Sequence, residues 1–184
     1  MSQILSTYNI VDVLTAFDVE KILGYQKPGT QLSQDPMNPT LLPNNGYDDV
    51  YMVTTDRNVI SGQAGSDLKM QAEVNDIIRW RTISLTDVAD YKCFIHTFRF
   101  IGYTAPEKAP LSTPIFEHTF PTEPDPAPGW PNGGVQERPS SDFYWQATAR
   151  RNGSASYTFV VAVYQRSGKL VGYFQWDPSI TILD

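Results

Sequence analysis

The sequence predicts an all-β fold, a two-sheet antiparallel β-sandwich of jelly-roll-like form, in a single domain over residues 1–184. Three observations predict it. Apolar residues alternate with the period of two that a pleated strand requires far more often than they follow the 3.6-residue helical repeat. Aromatic residues make up 12% of the chain and charged residues 18%, a balance that suits a β core better than a solvated helical bundle. About eight strand-like runs are separated by turn signals and by two long Pro-rich loops, residues 25–46 and 104–139.

The first run, Asn9 to Phe17, is short and β-branched and reads as a strand. Val19 to Leu23 predicts one helical turn, with Asp18 as its N-cap and Gly24 just beyond it. Residues 25–46 hold four prolines among Asn, Gln, Ser and Thr, a loop that covers a sheet or meets a partner. Asp49 to Thr55, Leu68 to Val74 and Ile77 to Thr82 alternate and read as strands, with turns at Asp56-Arg57-Asn58 and Asn75-Asp76. Val59 to Asp67 holds two glycines and little apolar material. Tyr91 to Tyr103 carries apolar residues on both faces, as a central strand does. Residues 104–139 hold nine of the fourteen prolines, which argues against regular structure apart from a strand at Ile115 to Phe120.

The last third organises the chain. Phe143, Trp145, Ala147 and Ala149 alternate with polar neighbours and run into Arg151-Asn152-Gly153-Ser154, where Asn-Gly predicts a tight hairpin. Tyr157 to Tyr164 returns, Ser167-Gly168 turns again, and Leu170 to Trp176 forms the third strand. Asp177-Pro178 ends that strand, and Ile180 to Ile182 suggest one more. The strand Ser179 to Leu183 is apolar and uncharged, so it is expected either to pair within its own sheet or to offer an edge to a second subunit.

Composition excludes several functions. The net charge of −6 and a pI near 4.8 argue against a nucleic-acid partner. No run of about 18 apolar residues argues for a membrane span, and no basic, apolar leader is apparent. Cytoplasmic location is the expectation, with leaderless export left open. The single Cys93 rules out an intrachain disulfide.

Several segments resemble a known family, the bacterial PixA/AidA inclusion-body proteins. They are Asn9-Ile-Val-Asp-Val-Leu14, Tyr51-Met-Val-Thr54, Val59-Ile-Ser-Gly-Gln-Ala-Gly65, Asn75-Asp-Ile-Ile-Arg-Trp-Arg-Thr-Ile-Ser-Leu85, Tyr144-Trp-Gln-Ala-Thr148 and Gly172-Tyr-Phe-Gln-Trp-Asp-Pro178. They occur in the family's order across nearly the whole chain. The resemblance implies a compact β fold in a bacterial protein associated with cytoplasmic inclusions or with quorum-regulated, host-associated expression. It implies no catalytic residues. One departure is composition: the inclusion-forming prototype is methionine-rich, and this chain has four Met.

No residue pattern points to catalysis. There is no Gly-x-Ser-x-Gly elbow, and Cys93 falls inside a strand. His96, among Phe94, Phe98 and Phe100, reads as a packed sheet residue, and His118 as a solvent-exposed one. One Cys and two His lack the count and spacing of a nitrogen–sulfur metal site. Calcium stays open through Asp48, Asp49, Asp56 and Asp76, although acidic residues at strand ends are usually turn formers. Trp130, Asn132 and Arg81 are the ligand-binding candidates. An exposed indole stacks on a sugar face, and Asn binds hydroxyls. The bland alternative for Trp130 is that it pins the long loop onto the sandwich. Trp80 is expected in the core, with Arg79 and Arg81 facing outward. The expected function is non-enzymatic binding or self-assembly, as a homodimer. The alternative is a lectin-like, calcium-assisted carbohydrate-binding module with a glycan or small ligand, and a hydrolase is the least supported.

Overall fold

A computed structural model describes residues 8–25, 31–42, 49–86, 90–102 and 106–183. In chain order the strands are β1 (Ile10–Phe17), β2 (Thr40–Leu41), β3 (Val50–Val53), β4 (Val59–Ser61), β5 (Lys69–Glu73), β6 (Ile77–Ser84), β7 (Tyr91–Ile101), β8 (Ile115–Thr119), β9 (Thr122–Pro126), β10 (Val135–Pro139), β11 (Asp142–Thr148), β12 (Gly153–Gln165), β13 (Leu170–Trp176) and β14 (Ser179–Leu183). The α-helix α1 (Val19–Gly24) follows β1, and the Asp18 carboxylate caps it by accepting from the Lys21 N–H. Gly24 is the last residue of the helix rather than the residue beyond it.

The expected all-β sandwich is present. One sheet has the order β3-β1-β6-β11-β8, and the other runs β2-β13-β12-β14-β5-β4 with β7 on the opposite side of β12. Antiparallel pairs predominate, but β1–β6, β14–β5 and β2–β13 are parallel, so the sheets are mixed. The inner faces meet in one core. Phe17 of the first sheet packs edge-on against Phe159 and Phe174 of the second, at 6.3 and 5.1 Å between centroids. The Trp80 indole donates to the Tyr157 hydroxyl at 2.9 Å across the two sheets, both residues being fully buried. Burial pushes the Tyr157 phenol up, well above its ordinary range. Trp145 and Trp176 are only partly buried at the margin of this core.

The central strand is β12, and one expectation about its neighbours is corrected. Asn152-Gly153 does not close a hairpin. β11 pairs with β6 and β8 in one sheet, while β12 begins in the other, so the chain switches sheets there. Gly153 has φ +133°, a conformation that serves this corner. The tendency of Asn-Gly toward positive φ marks a sharp change of direction without saying which strands it joins. Of the two expectations for β14, pairing within its own sheet is the one observed. The strand pairs with β12 on one side and β5 on the other, so it is interior and offers no edge. β13 and β14 keep one register on β12, from Phe159↔Trp176 to Ser156↔Ser179. Between them the Tyr157 N–H donates to the Pro178 carbonyl at 3.1 Å. They form one long line with a proline joint.

The first long loop does cover a sheet. Leu32 is buried in the core, Ser33 bridges Tyr173, and Gln34 Nε2 donates to the Val171 carbonyl at 2.7 Å. A Cβ at Gly172 would lie 2.5 Å from the Leu32 Cβ, so only glycine lets this loop so close. The parts of that loop at 26–30 and 43–46, together with Asp48 and the end of the expected Tyr91–Tyr103 strand, lie outside the described residues. The Pro-rich stretch is a larger correction: besides β8 it contains β9 and β10. His96 is also corrected. It is exposed on the outer face of β7, edge-on to Tyr173 at 5.2 Å, and is the extra residue of a β7 bulge opposite the step from Val160 to Val161 of β12.

Candidate functional site

Residues 115 to 146 form one hairpin. β8 pairs with β11 from Ile115↔Gln146 to Thr119↔Asp142, and β9 pairs with β10 in the same one-for-one register from Thr122↔Pro139 to Pro126↔Val135. The Ser140 N–H donates to the Pro121 carbonyl at 2.8 Å and joins the two halves. The root of the hairpin is the edge of the first sheet. Its distal half projects as a two-stranded arm, with β10 exposed along its whole length and β9 exposed at all but Asp125.

Parity explains why prolines are tolerated there. In an antiparallel ladder a residue turns both its N–H and its C=O toward the partner, and the next residue turns both away. The bonds Ser140 N–H to Pro121 O and Ala127 N–H to Gly134 O place the odd-numbered residues of 121–127 toward the partner strand. Pro124 and Pro126 therefore fall where the N–H would face solvent, and Pro139 opposite Thr122 falls likewise. The prolines cost the ladder nothing and blunt the arm's outer edges.

The outer edge of β8 is different. Among the described residues no strand pairs with it. Ile115 is 52% exposed, Phe116 54% and Phe120 71%. Phe116 leans on Trp145 at 6.0 Å, and His118 lies between Phe120 at 4.5 Å and Phe143 at 6.5 Å. The His118 Nε2 is 2.9 Å from the Ser141 Oγ. Exposure of His118 agrees with its sequence reading. The aromatic edge itself was missed. Its signal was the alternation Phe116, His118, Phe120 bounded by Pro114 and Pro121.

Trp130 is 58% exposed in the loop 127–134 at the arm's tip, so it does not pin that loop onto the sandwich. Its N–H donates to the Ala127 carbonyl at 3.1 Å, and Gly133 donates to the Gly129 carbonyl at 2.9 Å. A Cβ at Gly133 would lie 2.2 Å from the Pro128 carbonyl oxygen, so the loop's own backbone fixes its shape. Asn132 is exposed in the same loop.

Arg81 stands elsewhere, on the outer face of the first sheet. It donates to Asp142 through Nε at 3.0 Å and Nη2 at 2.7 Å, and to Asp12 through Nη1. Its guanidinium and that of Arg79 flank the Tyr144 ring at 4.6 and 4.8 Å from the centroid. The hydrogen bonds from Arg81 hold the Asp142 carboxyl below the usual carboxylate range, and Asp142 chiefly raises the Arg81 pKa further. This is a clamp tying β1, β6 and β11 together at the root of the hairpin. The root at Thr119 and Asp142 and the tip loop are separated by roughly 25 Å of extended chain. The structure thus keeps Trp130 and Asn132 together and does not bring Arg81 to them.

The acidic residues are dispersed. Asp76 accepts from the backbone N–H groups of Asn9 and Glu73, and Asp49 is buried against Lys21 Nζ at 2.8 Å. Among the described residues, no three His, Cys, Asp or Glu side chains gather as a metal site, and no helix is long and apolar enough to cross a membrane. Cys93 is buried at 1% exposure, away from solvent-borne substrates.

The family model described as PixA inclusion body protein matches residues 9–182. No curated protein sequence matches the chain. Among solved structures, the crystal structure of a PixA inclusion body protein from Burkholderia cenocepacia J2315 aligns with 99% of this chain and 100% of its own, at 18% identity and a TM-score of 0.72. That likeness is one of fold. The solution structure of Amebosin aligns with 70% of this chain and 93% of its own at 6% identity, and its TM-score of 0.25 supports no comparison.

Proposed function

The chain belongs to the PixA inclusion body protein family, and on that premise we propose that it acts without catalysis, as a self-assembling protein. One observation carries this reading: the hairpin 115–146 leaves the sandwich with an aromatic edge that pairs with no other strand among the described residues, and with an arm exposed on both faces. A two-stranded ribbon without a packed face is marginal in water, and an apolar sheet edge invites another chain. Static light scattering at micromolar concentration tests the reading. The mass of a dimer or a larger assembly is expected, and a strict monomer would overturn it.

A second reading has its own observation, the exposed indole of Trp130 beside Asn132 at the arm's tip. It supports glycan binding by stacking, and calcium dependence is an added arm of the same test. A glycan array, run with and without calcium, is expected to give a signal that Trp130→Ala abolishes. An empty array would remove this reading without touching the first.

A further inference from the structure

The outer edge of β8 also defines its partner. We infer that it pairs antiparallel with the β8 edge of a second copy of this chain, about a two-fold axis at His118; this mode rests on the self-assembly reading above. The continuous register of the hairpin fixes which backbone groups are free. Odd-numbered residues from 115 to 127 face β11 or β10, so Phe116, His118 and Phe120 turn their N–H and C=O outward. Thr122 is the next outward position, and beyond it the outward positions are Pro124 and Pro126, which have no N–H to give. The edge that another strand can use is therefore short and bounded.

The segment complements itself within those bounds. Outward-facing residues must oppose outward-facing residues, so a two-fold axis passes through a residue position rather than between two. An axis at Glu117 sets that carboxylate against its own copy, a destabilising like-charge pair. An axis at Thr119 sets Ile115 against Glu123. With the axis at His118, Phe116 faces Phe120 on both sides and Glu117 faces Thr119, so no like charges meet. Phe116, His118 and Phe120 of both copies then share one face, as aromatic cross-strand pairs prefer. Ile115, Phe116 and Phe120 from two copies hide on the order of 600 Å² of apolar surface, a large part of the apolar share of a standard interface. The blunted arm edges end the pairing after one strand, which gives a closed pair rather than an endless sheet.

The test is a cysteine placed on the axis. At a hydrogen-bonded antiparallel pair the Cα atoms lie about 5.5 Å apart, inside the range a disulfide spans. Under mild oxidation His118→Cys is expected to form a covalent dimer at least about tenfold faster than Thr119→Cys, whose own copy is out of register. In sedimentation velocity the double variant Phe116→Lys, Phe120→Lys is expected to shift the protein to monomer, with an unchanged melting curve showing that it still folds. Faster linking by Thr119→Cys would overturn the His118 axis. A wild-type dimer that neither cysteine links and the lysines do not disperse would overturn the edge and leave self-assembly standing. A monomeric wild type would remove both.

Discussion

Phe159 shows how much one side chain carries. Its ring lies at the centre of the aromatic core, within 6.3 Å of Phe17 and 5.8 Å of Phe98 between centroids, and is fully buried. Phe159→Ala leaves a cavity that the rigid sheets cannot close. It is expected to lower unfolding free energy by about 3–5 kcal/mol in a urea titration, and an unchanged midpoint would mean that the core is assigned wrongly. Asp142 belongs to the same scale with an electrostatic cause. Arg81 depresses its folded pKa, so its contribution is present above the ordinary carboxylate range and is lost as pH falls through the folded value. Asp142→Asn is expected to lower the melting temperature at pH 7 and to narrow the gap to wild type under acid. A gap that widens on acidification would contradict that sign. The core position of Trp80 and the outward placement of Arg79 and Arg81 were legible from alternation alone. The Asp12 partner of Arg81 was not, because it depends on the parallel pairing of β1 with β6, two strands more than sixty residues apart, which no local pattern records.

Strands and turns divide in the same way. The runs at Asn9–Phe17 and Leu68–Val74 lie close to the observed strands because each buries one alternating apolar face, and those at Tyr91–Tyr103 and Leu170–Trp176 do so because apolar residues on both faces suit strands packed on both sides. The Ser167-Gly168 turn holds as a hairpin, closed by the Gln165 N–H on the Lys169 carbonyl at 2.8 Å. Asn152-Gly153 fails as one because turn chemistry fixes local direction and leaves the pairing partner to tertiary packing. The arm failed for the opposite reason. Proline density reads as loop unless the register is known, and only the register shows that Pro124 and Pro126 fall on outward positions. That account makes a prediction about the element. Replacing both by threonine restores two outward N–H groups and lengthens the usable edge beyond Thr122. Stronger, less closed association is expected by light scattering, and association equal to wild type would show that the prolines do not guard the edge.

For the whole molecule, the sandwich satisfies its central strand β12 on both sides and buries β14, so the edges that remain decide what the protein can join. The all-β class and the family resemblance were both visible in the ordered segments from Asn9 to Pro178. The edge proposed to join two copies was not, because an edge is a property of sheet order, and sheet order arises from contacts between distant parts of the chain. Amide hydrogen exchange across a range of protein concentrations tests the claim most directly. Phe116, His118 and Phe120 have N–H groups that no described strand accepts within one copy, whereas Thr119 faces β11. The account predicts that exchange at the first three slows as concentration rises, while Thr119 stays protected throughout. Fast exchange at Phe116, His118 and Phe120 at every concentration would contradict it.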